Sequence, residues 1–380
     1  MYAIPCIRSL INIPSQQLEI IVHDNSETNE LENYVNNEIK DYRLVYRHTK
    51  ERLDMVANFS KAIKFAHGEY ITFIGDDDGV NPEIIEATLW ANSKRLDALS
   101  PTNLAQYRWP DMNMRIYGYK LAGELTVKNF TGKIKSAYPE EAMRTCAKLA
   151  GTKFGSLPKI YYGLVKLECM EQLKKATGTY FPGPTPDLAG AMAVANYIKN
   201  MCIIDYPLFL PGASAEGLGG WIVWKKHQGR LEDYPHLPNQ YICNWSRIVP
   251  KFFSGSTIWG EDVVQALMAV GRIDILRDFN VPLLHAKCVA FNPAYFIKIL
   301  RNFYPALKEM ETGYLIGTLK FIYSYIYIWL IRAKFLASNL IHISSNDCIF
   351  TVKHLNDIEE ATKAMHKYLY ENGRRFYECL

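Results

Sequence analysis

Short apolar runs alternate with an amphipathic segment in the first part of the chain. Residues 18–24 and 42–46 are apolar runs typical of strands, and the first of them ends in the polar turn Asp24-Asn25-Ser26. Residues 55–66 place apolar side chains at helical spacing, and a third apolar run follows at residues 70–74. This order predicts stacked βαβ units, an α/β fold with a mostly parallel sheet flanked by helices.

The third apolar run ends in the acid triplet Asp76-Asp77-Asp78. Carboxylates this close repel one another, and burying them without a counter-cation is costly. Magnesium and manganese bind one or two carboxylates together with phosphate oxygens, and open α/β sheets bind ligands at the carboxyl ends of their strands. The triplet therefore predicts a metal–diphosphate site that Asp24 also faces. A solvated acidic turn is the alternative.

Residues 18–82 resemble the nucleotide-sugar-binding half of family 2 glycosyltransferases, which have the GT-A fold. The resemblance is carried by EIIVHDNS at 19–26, the helix with Asn58, HGEYITFIGDDD at 67–78 and NPE at 81–83, in this order and spacing. It implies a nucleotide-sugar donor, with Asp24 at the nucleobase and Asn58, Asp76 and Asp77 also binding the donor. It also implies that Asp78 holds Mn²⁺ or Mg²⁺.

The start of the chain departs from this family. The family begins with a strand that ends in a Pro-Thr-Tyr-Asn-like turn, whereas residues 1–10 look like the helix that follows that strand. We therefore expect the opening strand to be absent. A sheet without this strand would expose unpaired backbone groups, which puts nucleotide affinity and activity in doubt more than the fold.

A rigid loop with three prolines precedes Asp187, which begins a helix of small residues. In an inverting glycosyl transfer one carboxylate takes the proton of the attacking hydroxyl. The family places such a base about this far beyond its metal acids, so the resemblance implies that Asp187 is the catalytic base. Capping of the helix is the alternative, and one residue can serve both purposes.

Other acids compete with Asp187. Glu261-Asp262 resembles the Glu-Asp pair of the family but lies late in the chain, where capping of a following helix is the better interpretation. Glu216 lies on a glycine-rich loop and is either a lid acid or solvated. The aromatic and basic run 221–230 either grips a diphosphate or sugar, or is a surface turn.

The composition becomes apolar and aromatic after about residue 293. Residues 314–332 are rich in Tyr, Ile and Leu and carry Lys320 inside the run, so the uncharged core is too short for a membrane span. The pattern favours a helix lying in a membrane interface, and a core helix or an oligomer contact are equal alternatives. Residues 345–380 look like an appendage without chemistry of its own.

Composition adds little. The chain has 380 residues, a net charge of +4 and eight cysteines without a C-x-x-C pair. This charge is too small to indicate nucleic-acid binding, and the cysteines indicate neither zinc nor disulfides. A cytoplasmic location at the inner membrane face is the expectation. The predicted divisions are 1–98 for donor binding, 99–255 for acceptor binding and 256–380 for a helical C-terminal region.

The resemblance implies an inverting, metal-dependent glycosyltransferase of surface polysaccharide synthesis. A UDP-sugar is the favoured donor, with dTDP and GDP sugars open, and the acceptor is a glycan or lipid-linked glycan. The alternatives are a sugar nucleotidyltransferase, for which no glycine-rich phosphate loop is present, and a non-catalytic relative that binds a membrane or a partner.

Overall fold

The computed structural model describes residues 2–102, 105–112, 115–116, 119–217, 228–341 and 348–380. The helices are α1 Ala3–Ile11, α2 Glu30–Glu38, α3 Met55–Ala62, α4 Ile84–Ser93, α5 Pro139–Lys148, α6 Leu167–Thr177, α7 Pro186–Val194, α8 Asn239–Cys243, α9 Gly255–Ala269, α10 Ile273–Leu276, α11 Val281–Phe291, α12 Phe296–Glu309, α13 Tyr314–Ile341, α14 Ile358–Glu371 and α15 Phe376–Cys379.

The strands are short and fall into several small sheets. They are β1 Ile20–Asp24, β2 Leu44–His48, β3 Tyr70–Ile71, β4 Gly79–Val80, β5 Ala98–Pro101, β6 Gln106–Arg108, β7 Arg115–Ile116, β8 Tyr119–Lys120, β9 Glu124–Lys128, β10 Ile134–Ala137, β11 Leu164–Lys166, β12 Met201–Ile204, β13 Phe209–Leu210, β14 Gly212–Ala213 and β15 Cys348–Val352. The largest sheet has the order β10-β12-β5-β11-β3, and β1 pairs with β2 beside it.

The α/β class and the early element order are confirmed. Strands β1 and β2, helix α3 and strand β3 follow one another as the apolar pattern predicts, and α1 covers the segment expected to be helical. Helix α6 ends at Gly178, whose φ of 80° is the left-handed conformation that glycine adopts without strain. Periodicity therefore located these elements correctly.

The prediction of a mostly parallel sheet is wrong. Strands β1 and β2, β12 and β5, and β14 and β6 are parallel, but the other paired strands are antiparallel. In the largest sheet, the three-residue strand β11 runs against both β5 and β3. Strand direction depends on the neighbours that a segment meets, and a run this short carries no periodic signal for it.

A gap separates β1 from β3. In the described part of the chain, β1 pairs only with β2, and β3 pairs only with β11. Between them lies a cavity of about 440 Å³ lined by residues of both strands and by Leu10, Ile13 and Ile63. Glu19 accepts hydrogen bonds from His67, so the two strands start at the same end of the gap.

The backbone of both strands presents unpaired groups to this cavity. Ile20 donates to Arg43 and Asp24 accepts from Thr49, so the backbone groups of Ile21 and His23 point away from β2. On β3, hydrogen bonds of residues 69 and 73 to the β11 side leave the backbone groups of residues 70 and 72 facing the gap. The hydroxyl of Thr72, which lines the cavity, is buried without a hydrogen-bond partner.

The C-terminal segment is part of the N-terminal core rather than an appendage. Strand β15 pairs with β9, and α14 packs against α1 and β4. Ile358, Met365 and Leu369 are fully buried in the cluster that also holds Ile84 and Tyr107. A second large cluster joins α5, α7, α9, α11 and α12 on the other side of the main sheet.

Helix α13 lies at the surface. In the described part of the chain it contains the one stretch, Tyr314–Leu336, that is long and apolar enough by length and composition to cross a membrane. The alternative of a core helix is wrong for this run, because most of its large apolar side chains are exposed. Only a narrow stripe contacts α11 and α12.

Candidate active site

The acid triplet forms a tight turn in which Asp78 points inward. One oxygen of Asp78, Oδ2, accepts hydrogen bonds from the Gly75 amide at 2.6 Å and the Tyr161 hydroxyl at 2.9 Å. The other oxygen, Oδ1, accepts from the Tyr162 hydroxyl at 2.7 Å and the Gly212 amide at 2.8 Å. Asp78 is therefore buried with four protein donors and acts as the anchor of the turn.

Two glycines allow the backbone to approach this turn closely. A Cβ atom at Gly212 would lie 1.8 Å from the carbonyl oxygen of Asp77, and one at Gly75 would lie 2.7 Å from the Tyr161 hydroxyl. Strand β14 and the turn can therefore meet only where residue 212 has no side chain.

Asp77 and Asp76 lie on the outer side of the turn. The Oδ2 atom of Asp77 accepts from Ser214 at 2.6 Å, and Trp109 donates to its carbonyl oxygen at 2.9 Å. Burial, together with the charge of Asp78, raises the pKa of Asp77 to about 7. Asp76 is exposed to solvent, although crowding by protein and the charges of Glu216 and Asp24 raise its pKa. Glu216 therefore lies near enough for its charge to act on the acid turn.

The end of β1 supplies a further acid at the same edge of the sheet, since β1 and β3 start at the same end of the gap. Asp24 accepts from the Tyr46 hydroxyl at 2.6 Å and from the Ser26 amide at 2.8 Å. Burial opposes ionisation of Asp24, but these hydrogen bonds and nearby His48 outweigh it, so the pKa of Asp24 is lowered. Asn58 on α3 contacts the ring of His23 at 2.6 Å, which fixes α3 beside β1.

The metal role predicted for Asp78 does not fit this geometry, because its oxygens are already occupied by protein donors. Within the described ranges, no group of three or more His, Cys, Asp or Glu side chains is arranged to hold a metal ion. Asp76 and Asp77 still suit magnesium or manganese, which need only one or two protein carboxylates when a diphosphate supplies further oxygens.

Asp187 forms a pair with Asp262. Thr185 donates its amide to Asp262 at 2.8 Å, and its hydroxyl contacts Asp262 at 2.5 Å and also Asp187. One hydroxyl carries a single proton, so the second of these contacts requires a proton on one of the carboxyl groups. Burial raises the pKa of both acids, and the charge of Asp187 raises that of Asp262 further.

The Asp187 pair is separate from the acid turn. Phe181 of the preceding loop packs against Phe59 and Phe73, and Phe59 in turn lies beside Tyr161. This aromatic layer connects the loop before Asp187 to Tyr161, which donates to Asp78, and no hydrogen bond in the described part joins the two groups of acids directly. Asp187 is partly exposed, whereas Asp262 is fully buried behind it.

The expectation that Glu261 and Asp262 cap a helix is wrong. Helix α9 begins at Gly255, and Ser254 and Thr257 form its capping box. Glu261 lies further along the helix, where it accepts from the amide and hydroxyl of Ser246 at 2.8 and 2.6 Å. It ties the segment after α8 to α9. Residues 221–227 of the predicted aromatic and basic run lie outside the described residues.

Sequence reasoning did not find the groups that hold the acid turn. Tyr161, Tyr162, Ser214 and Trp109 all contact Asp77 or Asp78 from more than thirty positions away in the sequence. The adjacent tyrosines before Gly163 were the available signal, since two phenols in sequence at a strand start can face a buried carboxylate. The partnership itself depends on tertiary structure.

Comparisons with known proteins agree with the N-terminal geometry. Residues 2–107 match the profile of the family described as glycosyl transferase family 2. No curated protein sequence matches the chain. The matched segment contains β1, β3 and the acid turn, which carry most of the acids of the candidate site. Residues 2–107, a little over a quarter of the chain, are therefore similar to family 2 glycosyltransferases.

Solved structures of S. aureus TarS are similar to the chain at low identity. One has 18% identity over 57% of this chain and 35% of its own, with a TM-score of 0.39. TarS 1–349 in complex with UDP-GlcNAc has 15% identity over 82% of this chain and 89% of its own, with a TM-score of 0.42. The complex with UDP has 14% identity and a TM-score of 0.40. The chain thus spans about a third of the first TarS structure.

Proposed function

We propose that the chain transfers a sugar from a nucleotide-diphosphate sugar, with UDP as the favoured nucleotide, to a glycan or lipid-linked glycan in surface polysaccharide synthesis. The observation that supports this best is that β1 and β3 start at the same end of the gap, so Asp24 and the acid turn with Asp76 and Asp77 follow at the same edge of the sheet. Asp24 is buried, ionised and bound by two protein donors, which leaves it acceptor capacity for a nucleobase N–H.

The outer acids suit the diphosphate end of the donor. Asp76 and Asp77 would hold Mn²⁺ or Mg²⁺, which supplies positive charge to the leaving diphosphate. Asp78 keeps the turn in shape through its four hydrogen bonds. Asn58 supports the nucleotide side of the crevice through His23.

Asp187 is the proposed base of an inverting transfer. It opens toward solvent at the start of α7 and has a raised pKa, so it binds a proton more strongly than an ordinary carboxylate. Glu216 is the competing candidate, because it lies on the loop after β14 and its charge acts on Asp76.

Calorimetric titration tests donor binding. UDP-, dTDP- and GDP-sugars are titrated into the full chain with and without Mn²⁺, using Asp24→Asn as the variant and the exposed Glu141→Gln as its control. We expect one nucleotide class to bind in a Mn²⁺-dependent manner, with affinity lowered in the Asp24 variant alone. Absence of binding to every sugar nucleotide would overturn the proposal.

A turnover assay then tests whether Asp187 is the catalytic base. The assay uses the donor class that binds, together with a glycan acceptor, and it measures the nucleoside diphosphate released. Asp187→Ala is expected to keep donor affinity and lose about 10²–10⁴-fold in turnover. A loss of less than about threefold, with a large loss in Glu216→Gln, would transfer the role to Glu216. Tight binding of the sugar nucleotide without turnover by the unmodified chain would favour a non-catalytic relative.

A further inference from the structure

Helix α13 exposes most of its apolar circumference. Gly317 and Ser324 are buried, and Phe321 packs on Phe303 of α12 with ring centroids 5.1 Å apart. These residues form one narrow stripe along the helix. Large apolar side chains on the remaining faces are exposed, among them Leu315, Leu319, Ile322, Tyr323, Ile326 and Leu330.

The exposed surface continues onto α12. Ile297, Leu300 and Tyr304 are spaced about one turn apart and are exposed, and the ring of Tyr304 lies 5.6 Å from that of Tyr314. We call this continuous region the α12–α13 surface. Contiguous apolar areas of this kind are rare on monomeric soluble proteins and mark contact with another phase or molecule.

The charges around the surface are of one sign along the helix. Between Gly313 and Ile341 the sequence contains no Asp or Glu, whereas Lys320, Arg332 and Lys334 are present. Arg332 lies over the rings of Phe291 and Trp329, 5.5 and 5.3 Å from their centroids. Two acids, Glu309 and Glu311, lie before the helix at its turn with α12. Cations with apolar stems beside Tyr and Trp suit an anionic lipid interface.

The shape of the exposed region distinguishes between two possible partners, a second copy of the chain and a lipid bilayer. A second copy of the chain would cover one side of α13, as a partner helix covers one face. Here the apolar residues lie on nearly all sides other than the Gly317–Ser324 stripe. A lipid phase surrounds an inserted helix on every side that the protein leaves open, so it matches this distribution.

The packing also sets the orientation. Gly317 approaches Leu307 at one end of the helix, and Arg332 contacts Phe291 near the other, so the folded body lies along the length of α13. Exposed Lys320 lies within the run. A spanning orientation would bring Lys320 and the adjoining body into hydrocarbon. We propose that the α12–α13 surface docks the chain in the plane of an anionic lipid bilayer, with the axis of α13 parallel to the membrane.

Sedimentation of the full chain with vesicles tests this proposal, which does not depend on glycosyl transfer. The vesicles are phosphatidylcholine alone and phosphatidylcholine with phosphatidylglycerol. We expect binding to be stronger with the anionic lipid, and the triple variant Leu319→Gln, Ile322→Gln, Leu330→Gln to lower it about a hundredfold. The matched control places Gln at Leu89, Ile273 and Leu380, which are similarly exposed elsewhere, and should bind as the parent does.

A charge variant isolates the role of the cations. Lys298→Glu with Lys320→Glu should remove the preference for anionic lipid, whereas Lys94→Glu with Lys148→Glu should keep it. Equal vesicle binding by the apolar triple variant and the parent would overturn the proposal. So would a parent that ignores vesicles and forms dimers which the triple variant dissociates, measured by light scattering, because the surface would then be an interface between copies.

Discussion

Two acids of one turn, Asp76 and Asp78, have opposite surroundings. Asp78 is buried and each of its oxygens accepts one backbone N–H, from Gly212 and from Gly75. Asp76, two positions earlier, is exposed. The sequence predicted the acid turn and its place at a strand end, but it assigned the metal to the inward acid. Which of three consecutive carboxylates turns inward depends on Tyr161 and Tyr162, and the residues of the triplet do not encode those contacts.

Substitution of these acids should separate anchoring from ligand binding. In Asp78→Asn the side-chain amide must face the backbone N–H of either Gly212 or Gly75, so we expect the free energy of unfolding to fall by about 2–4 kcal/mol. Asp76→Asn should change it by less than about 0.5 kcal/mol and instead weaken Mn²⁺-dependent nucleotide binding. Urea denaturation and calorimetry measure the two effects. Equal destabilisation by both variants would contradict the assignment.

The Asp187–Asp262 pair should make stability depend on pH. The pKa of both acids is raised in the folded state, so the folded chain holds a proton that the unfolded chain loses. This contribution is complete below the unfolded pKa near 3.8 and is lost as the pH rises through the folded values. Asp262 also interacts electrostatically with Glu261, Cys146 and Tyr241.

Asp262→Asn tests this pair without removing its hydrogen bonds. The Asn oxygen can accept from the Thr185 amide, and the Asn amide can donate to the Thr185 hydroxyl, which donates to Asp187. We therefore expect the variant to be at least as stable as the parent near pH 8 and to show a flatter decline in unfolding free energy between about pH 4 and pH 8, measured by urea denaturation. A slope equal to that of the parent would refute proton sharing, and Asp262→Ala serves as the control that loses the bonds.

At the scale of elements, the hydrophobic periodicity of the sequence predicted where strands and helices lie, but not whether paired strands run parallel or antiparallel. Strand β1 and helix α3 were located from apolar spacing alone, since a buried face leaves a regular pattern. Strand β3 has only two paired residues, and β11 has three. Their pairing is decided by the loops and neighbours around them, so the mixed directions of the sheet were not recoverable from the pattern.

The contact between β14 and the acid turn should tolerate no side chain at residue 212. In Gly212→Ala the new Cβ would overlap the carbonyl oxygen of Asp77, so the strand or the turn must move. We expect thermal unfolding to shift to lower temperature and nucleotide binding to weaken together. Gly255→Ala is the control, because a methyl group at residue 255 would meet no other atom within 4 Å and the backbone there is ordinary. Unchanged binding in the Gly212 variant would show that the turn adjusts freely.

At the scale of the whole molecule, the prediction that residues 345–380 form an appendage was wrong, because their position late in the sequence did not indicate which core they join. Residues 358–371 carry an amphipathic pattern that any surface helix would show, yet Ile358, Met365 and Leu369 complete the core around Ile84 and Tyr107. The two ends of the chain meet there, with α1 against α14. A long-range contact of this kind leaves no local signal in one sequence.

Removal of residues 348–380 should therefore unfold the N-terminal half, rather than leave it folded without its last elements. Fully buried residues such as Ile358, Met365, Leu369 and Phe376 are each worth about 2–5 kcal/mol, and together they exceed the usual stability of a domain. Circular dichroism and limited proteolysis of the truncated chain should show lost cooperative melting. Cooperative melting at the parent's temperature would show that the segment is dispensable.

The gap between β1 and β3 should affect how fast backbone amide hydrogens exchange with solvent. Amides of Val22 and Asp24 face β2, whereas the amide of Ile21, which lines the cavity, and that of His23 point away from β2. Hydrogen exchange followed residue by residue should therefore alternate along a single strand, with slow and fast amides as neighbours, and likewise slow Ile71 beside fast Thr72. Uniform slow exchange along β1 would mean that the cavity-facing edge has found a bonding partner in solution. The exchange rate of each amide would then show whether the gap between β1 and β3 is closed in solution.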